Sequence, residues 1–143
     1  SYIVCFLKNI KLEKDASKEE RLSKNAYVTQ DGGDRESGED AYIANMQDGC
    51  IAGFKYFNMK KGHNKIAISV RGNAVGTIKI TTDSDYSGKN IEDYPIAGQA
   101  LLSIESHDWK ETVVDIDIET GINPVYFIFE GRGKFDIKNF TII

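Results

Sequence analysis

The residues of this chain whose types could do covalent or metal chemistry are few and scattered. The two histidines are His63, in the turn KKGHNK, and His107, in the segment ESHDW; neither has a nearby cysteine or second histidine to complete a metal site or a nucleophilic triad. Both read as surface loop residues. Asp115 and Asp117 alternate along a strand and so share one face, where carboxylates are ordinarily just solvated. The acidic stretch DGGDRESGED, residues 31–40, lacks the ligand spacing of an EF-hand. Gly72-x-x-x-Gly76 and Gly131-x-Gly133 follow neither a phosphate-loop nor a dinucleotide pattern. Cys5 and Cys50 each lie in an apolar segment and read as small buried hydrophobes; no CxxC spacing accompanies them, so neither a disulfide nor a metal pair is expected. This inventory disfavours an enzyme active site, and no catalytic residue and no metal ligand is assigned.

Composition narrows the partners. A length of 143 residues fits one domain, residues 1–143, long enough to bury a single core. With 41% hydrophobic residues and a mean hydropathy of −0.38, the chain reads as soluble and globular. Its net charge of −4 and pI near 5.2 have the wrong sign for a phosphate-binding surface, and no basic stripe interleaves with aromatics, so nucleic acid is not expected as a partner. The longest apolar runs, such as VYFIF at residues 125–129, are far short of the roughly 20 residues a membrane helix needs, so no membrane partner is expected either. The N-terminal SYIVCFLKNIKL lacks a basic start and a small-residue cleavage site and reads as a first strand rather than a signal peptide. Localisation stays open.

The elements that must position any site are short and β-rich: residues 2–8, 25–30, 41–46, 51–57, 65–71, 77–82, 100–105, 111–118, 124–129 and 134–143, with turn signals between them. Such spacing predicts an all-β sandwich or barrel. Alternation is clean where Ile66, Ile68 and Val70 line one face and Ile78 and Ile80 another; those faces should meet in the core. Residues 11–24 (KLEKDASKEERLSK) carry helix-forming composition without a sustained apolar stripe and are expected to be a solvated loop with one helical turn. Residues 84–94 (SDYSGKNIEDY) form another polar connection, and residues 31–40 a loop that could rim a site.

One stretch is distinctive. YVTQDGGDRESGEDAYIANMQDGCIAGFKYFNM, residues 27–59, resembles the front half of carbohydrate-binding module family 6: a glycine-rich acidic loop, a Tyr-Ile strand, an Asn/Asp-Gly turn and a strand ending in an aromatic. AYIANMQDGCIAGFKYF is especially similar to the C-terminal modules behind the five-bladed catalytic domain of glycoside hydrolase family 43, the xylosidases and arabinofuranosidases. SHDWKETVVDIDI resembles the family's Trp-containing segment, and NPVYFIFEGRGKFDIKNFTII its last two strands. The resemblance implies a two-sheet antiparallel β-sandwich, a jelly roll of the galactose-binding-domain-like kind.

It also supplies the candidate site. Sugar recognition needs a flat aromatic against the apolar C–H face of a pyranose and fixed polar groups for its hydroxyls. Tyr42 falls at the family's first platform aromatic, Trp109 at the second, and Asp136 near the Asn that meets the sugar between them; Asp keeps the acceptors and loses the amide donors. Each has a plain structural reading beside the functional one: Tyr42 as a core or edge-strand tyrosine, Trp109 as a core tryptophan, which its expected loop setting makes less apt, and Asp136 as a solvent-facing strand residue. Phe54, Tyr56 and Phe57 continue an apolar strand and belong with the core, whereas Tyr27, Tyr86 and Tyr94 sit in loop settings at a cleft rim.

Departures from the family pattern matter too. Family members commonly hold a structural calcium with a Glu-x-Glu in the first strand and an Asp in the last. Here the first strand reads YIVCFLK, and Lys138 stands at the Asp position, where a cation repels calcium; a shift of two residues would put Asp136 there instead. No cofactor is expected. The resemblance thus implies a non-catalytic module binding carbohydrate of the xylan or arabinoxylan type, with the catalytic domain of a parent chain as second partner; the alternative is a structural accessory domain packing on that catalytic domain without binding sugar.

Overall fold

The computed structural model describes residues 4–12, 15–30, 41–62, 64–82 and 91–143, without the side chains of 4–6, 21, 30, 55 and 56. The acidic loop at 31–40, His63 and Tyr86 therefore lie outside the described residues. The described elements run β1 (Val4–Asn9), α1 (Lys18–Lys24), β2 (Tyr27–Gln30), β3 (Ala41–Met46), β4 (Cys50–Met59), β5 (Lys65–Thr81), a 3-10 turn (Ile91–Asp93), β6 (Gly98–Asp115) and β7 (Gly121–Ile142).

Among the described residues every strand pairing is antiparallel, and β7 organises them. Its first half lies between β4 and β5, through Ile51↔Ile128 and Lys79↔Ile128; its second half lies between β3 and β5, through Ile43↔Ile137 and Val70↔Ile137. β1 extends the sheet beyond β4, β2 beyond β3, and β6 beyond β5. The long strands thus carry the hydrogen-bonded network around a nearly closed all-β sandwich, as expected for the jelly-roll class.

The interior follows the alternation. Ile66, Ile68, Val70, Ile78 and Ile80 of β5 are at most 2% exposed and join one cluster with Phe54, Phe57, Phe127, Phe129, Phe135 and Phe140. The run at residues 125–129 is continuous because β7 is buried on both faces there. Val125, Phe127 and Phe129 enter the main core, while Tyr126 and Ile128 pack with Ile51, Ile91 and Tyr94 in a second cluster. Tyr94 is therefore a core residue and not part of a cleft rim.

Three sequence expectations change. Residues 65–71 and 77–82 form one strand, as do 100–105 with most of 111–118, and 124–129 with 134–143. The intervening glycines do not mark turns; Gly76 and Gly131 face each other across β5 and β7, where a Cβ on either would run into the opposite backbone. Within residues 11–24, α1 takes up seven residues, started by the Ser17 hydroxyl accepting the Glu20 amide at 3.1 Å, with Glu19 and Glu20 in its first turn. Trp109 and His107 lie within β6 rather than in a loop.

Candidate functional site

Side chains alternate, so the partners of the buried residues face outward. Tyr42 precedes buried Ile43 on β3, Asp136 stands between buried Phe135 and Ile137 on β7, and Arg71 follows buried Val70 on β5. The register places these residues at one level of the sheet, and three ladders lose their regular pairing at that level.

Between β3 and β7, Ile43 pairs with Ile137 but Met46 with Phe135, which leaves β3 one residue ahead beside Asp136. Asn45 absorbs the irregularity with φ of 70°, while its side-chain amide donates to the Ser23 and Asn25 carbonyls at 3.1 and 3.0 Å. Between β5 and β7, Ser69 pairs with Asn139 and Val70 with Ile137, so Lys138 is the bulged residue. Between β5 and β6, Val70 pairs with Lys110 and Gly72 with Ser106, so residues 107–109 stand opposite Arg71 alone. The Ser106 hydroxyl accepts the Asp108 amide at 3.0 Å and donates to the Asp108 carbonyl at 2.9 Å, fixing that bulge. Bulges of this kind re-aim side chains. Here they bring together Tyr42, Trp109, Asp136, Arg71 and Lys138.

The contacts are specific. The Tyr42 and Trp109 rings meet edge to face, centroids 5.6 Å apart and planes at 71°. The Arg71 guanidinium sits 4.7 Å from the Tyr42 ring centre and 4.3 Å from that of Trp109, and Lys138 Nζ sits 5.7 Å from Trp109. Arg71 Nε donates to Asp136 Oδ2 at 3.2 Å, and the Asn45 amide donates to Asp136 Oδ1 at 3.3 Å. Each cation–ring contact is worth about 0.5–2 kcal/mol depending on its exposure. A groove lined by Gly72, Asn73, Glu105, Ser106 and His107 runs beside the bulge.

No family model matches the chain. A curated relative, the xylosidase/arabinosidase of Thermoclostridium stercorarium, is 36% identical over 115 residues, which cover 80% of this chain and 22% of that protein. Among solved structures, a family 6 carbohydrate-binding module from Clostridium cellulolyticum in complex with xylose superposes with a TM-score of 0.62 at 15% identity, covering 81% of this chain and 86% of that one. A glycoside hydrolase family 43 arabinoxylan arabinofuranohydrolase from Bacillus subtilis, in complex with cellotetraose, gives 0.62 at 17% identity over 82% of this chain and 24% of that one. The chain has the fold of the family 6 carbohydrate-binding modules.

In this chain Tyr42, Trp109 and Asp136 converge, but not as two parallel platforms. A pyranose held between two ring faces needs a carbon contact of about 3.5–4 Å on each side, and so rings roughly 7–8 Å apart. The observed pair forms a right-angled corner with Arg71 against both rings. Nothing local in the sequence marks Arg71, which continues the alternation of β5, and its register with Asp136 is a long-range property.

Of the other candidates among the described residues, Lys138 joins this corner and the two strand-end aspartates do not. Lys138 faces Trp109. Asp115 ends β6 in an exposed pairing with Lys65 at 3.6 Å, and Asp117 lies beyond the strand end. Among the described residues no group of three or more His, Cys, Asp or Glu side chains could hold a metal. Cys50 is a free, fully buried thiol whose pKa burial raises above the ordinary thiol value.

Proposed function

We propose that the module binds an oligosaccharide of the xylan or arabinoxylan type at this corner. Trp109 is the stacking surface and Tyr42 the wall at right angles to it. Arg71 and Asp136 meet the sugar hydroxyls as donor and acceptor. The observation that carries this reading is that bulges in three ladders deliver Tyr42, Trp109 and Asp136 to one place on an outer face. Support for the sugar class comes from relatives: one is described as a xylosidase/arabinosidase, and a structural neighbour holds xylose. Because the chain spans 22% of that curated relative, attachment to a glycoside hydrolase catalytic domain of the xylosidase and arabinofuranosidase class is part of the proposal.

A second reading has its own observation. Arg71 fills the angle between the two rings, and Leu101 and Val75, diagonal neighbours on β6 and β5, are 85% and 48% exposed. A module that packs on its catalytic domain without binding sugar would look like this. Calorimetric titration of xylo- and arabino-oligosaccharides separates the two. The first reading expects binding that Trp109→Ala weakens by about 1–3 kcal/mol, the size of a lost aromatic contact; wild-type protein that binds none of them supports the second.

A further inference from the structure

Asn45 is unusual in its backbone as well as in its contacts. Among the described residues it alone, glycines aside, has a positive φ, of 70°. Asparagine tolerates that conformation better than most residues, yet it persists only where the surroundings over-determine it. Here the surroundings are the end of α1. The Asn45 side-chain amide donates to the Ser23 and Asn25 carbonyls at 3.1 and 3.0 Å, while the backbone N–H of the same residue donates to Asp136 Oδ1 at 3.3 Å.

Satisfying carbonyls at a helix end does not by itself call for this geometry. The Gln47 amide donates to the same Ser23 carbonyl at 2.8 Å from a residue without a positive φ. What the irregular backbone adds is the bond to Asp136. Between the pairs Ile43↔Ile137 and Met46↔Phe135, Ala44 and Asn45 together stand opposite Asp136 alone, and the Asn45 N–H meets its side chain there. Asp136 is thus held at both oxygens, Oδ1 by Asn45 and Oδ2 by Arg71 Nε at 3.2 Å. Each carboxylate oxygen keeps a second lone pair for a hydroxyl.

We infer that Asn45 is a positioning residue of the sugar site: clamped to the end of α1, it aims its N–H at Asp136 and holds that carboxylate where it accepts a sugar hydroxyl. This rests on the reading of the corner as a sugar site. Residues 23–25, outside the corner, thereby set the direction of an acceptor inside it.

The test is calorimetry with xylotetraose and with arabinotetraose on wild type, Asn45→Gly, Asp136→Ala and the double variant. Glycine takes a positive φ freely, so Asn45→Gly keeps the backbone course and removes the clamp, with melting curves to check that it folds. It is expected to weaken binding about three- to tenfold, the size of one hydrogen bond's net contribution. In the Asp136→Ala background the same change should cost nothing further, because residues that act through one another are not additive. Gln47→Ala, which loosens the same helix end without touching Asp136, should leave affinity unchanged. The Arg71 Nε–H resonance, which reports on the Asp136 bond, should move in Asn45→Gly and stay in Gln47→Ala. Additive losses overturn the inference, as does an equal loss in Gln47→Ala, which would make the effect a general loosening of the segment. In wild type, an Asn45 backbone amide signal that stays still while the Trp109 indole shifts on binding overturns it as well. If Trp109→Ala abolishes binding and Asn45→Gly leaves it unchanged, the sugar site stands and only the positioning role fails. If wild type binds neither sugar, the site reading fails, and the inference with it.

Discussion

The two faces of β7 use similar contacts to different ends. On the inner face, Phe129 meets Phe135 edge to face at 4.8 Å and Phe127 meets Phe140 at 5.1 Å, all at most 3% exposed. On the outer face at the same level, Tyr42 meets Trp109 edge to face at 5.6 Å, half-buried, with Arg71, Lys138 and Asp136 around them. Inner rings are accounted for by the water they exclude and need nothing beyond regular alternation. The outer rings are brought together by irregular pairing in three ladders, which packing of the core does not require. The proposed function accounts for this difference, since a ligand-binding cluster needs rings held at the surface rather than packed in the core.

That comparison can be broken by unfolding measurements. Phe129→Ala, which empties a fully buried ring site, is expected to cost about 3–5 kcal/mol and lower the melting temperature more than any outer-face change. Gly72→Ala comes next. Gly72 has φ of 140°, and an added Cβ would stand 2.6 Å from the Lys134 carbonyl oxygen, so about 1–3 kcal/mol of backbone strain is expected, with Trp109 displaced because Gly72 closes the bulge. Trp109→Ala should change stability by no more than about 1 kcal/mol in denaturant titration, since the ring is only half-buried. A loss comparable to that of Phe129→Ala would make Trp109 a core residue and remove the contrast. Smallest of all, a chelator should leave the melting temperature unchanged, because the position that the resemblance assigns to a calcium-binding Asp is Lys138; a metal bound only to the folded state would make chelation lower it.

What could be read in the sequence divides along the same line. The inner face was plain, because Ile66, Ile68 and Val70 alternate and buried alternation has one solution. Continuity of β5, β6 and β7 was not, since Gly76 and Gly131 look like turn residues in a list of letters and serve as close-approach points in the sheet. Tyr94 read as a rim aromatic because its neighbours are polar, yet it is buried against Tyr126 and Ile128 on the second buried face of the sheet. Tyr42, Trp109 and Asp136 were reached through resemblance. Arg71 was not reached at all: nothing local distinguishes it from any outward cation, and only the β5–β7 and β5–β6 registers set it between the others.

Trp109 is the only tryptophan in the chain, so its indole N–H gives a single, assignable NMR resonance at the centre of the proposed site. Titrating the protein with xylo- and arabino-oligosaccharides while following that resonance tests the account most directly. The account predicts a saturable shift of the indole signal, accompanied by shifts of the Arg71 and Asn45 amides, and no comparable change around Leu101. An indole signal that stays still while other residues move would place sugar binding elsewhere on the sandwich, and a spectrum that does not change at all would contradict a sugar site on this face.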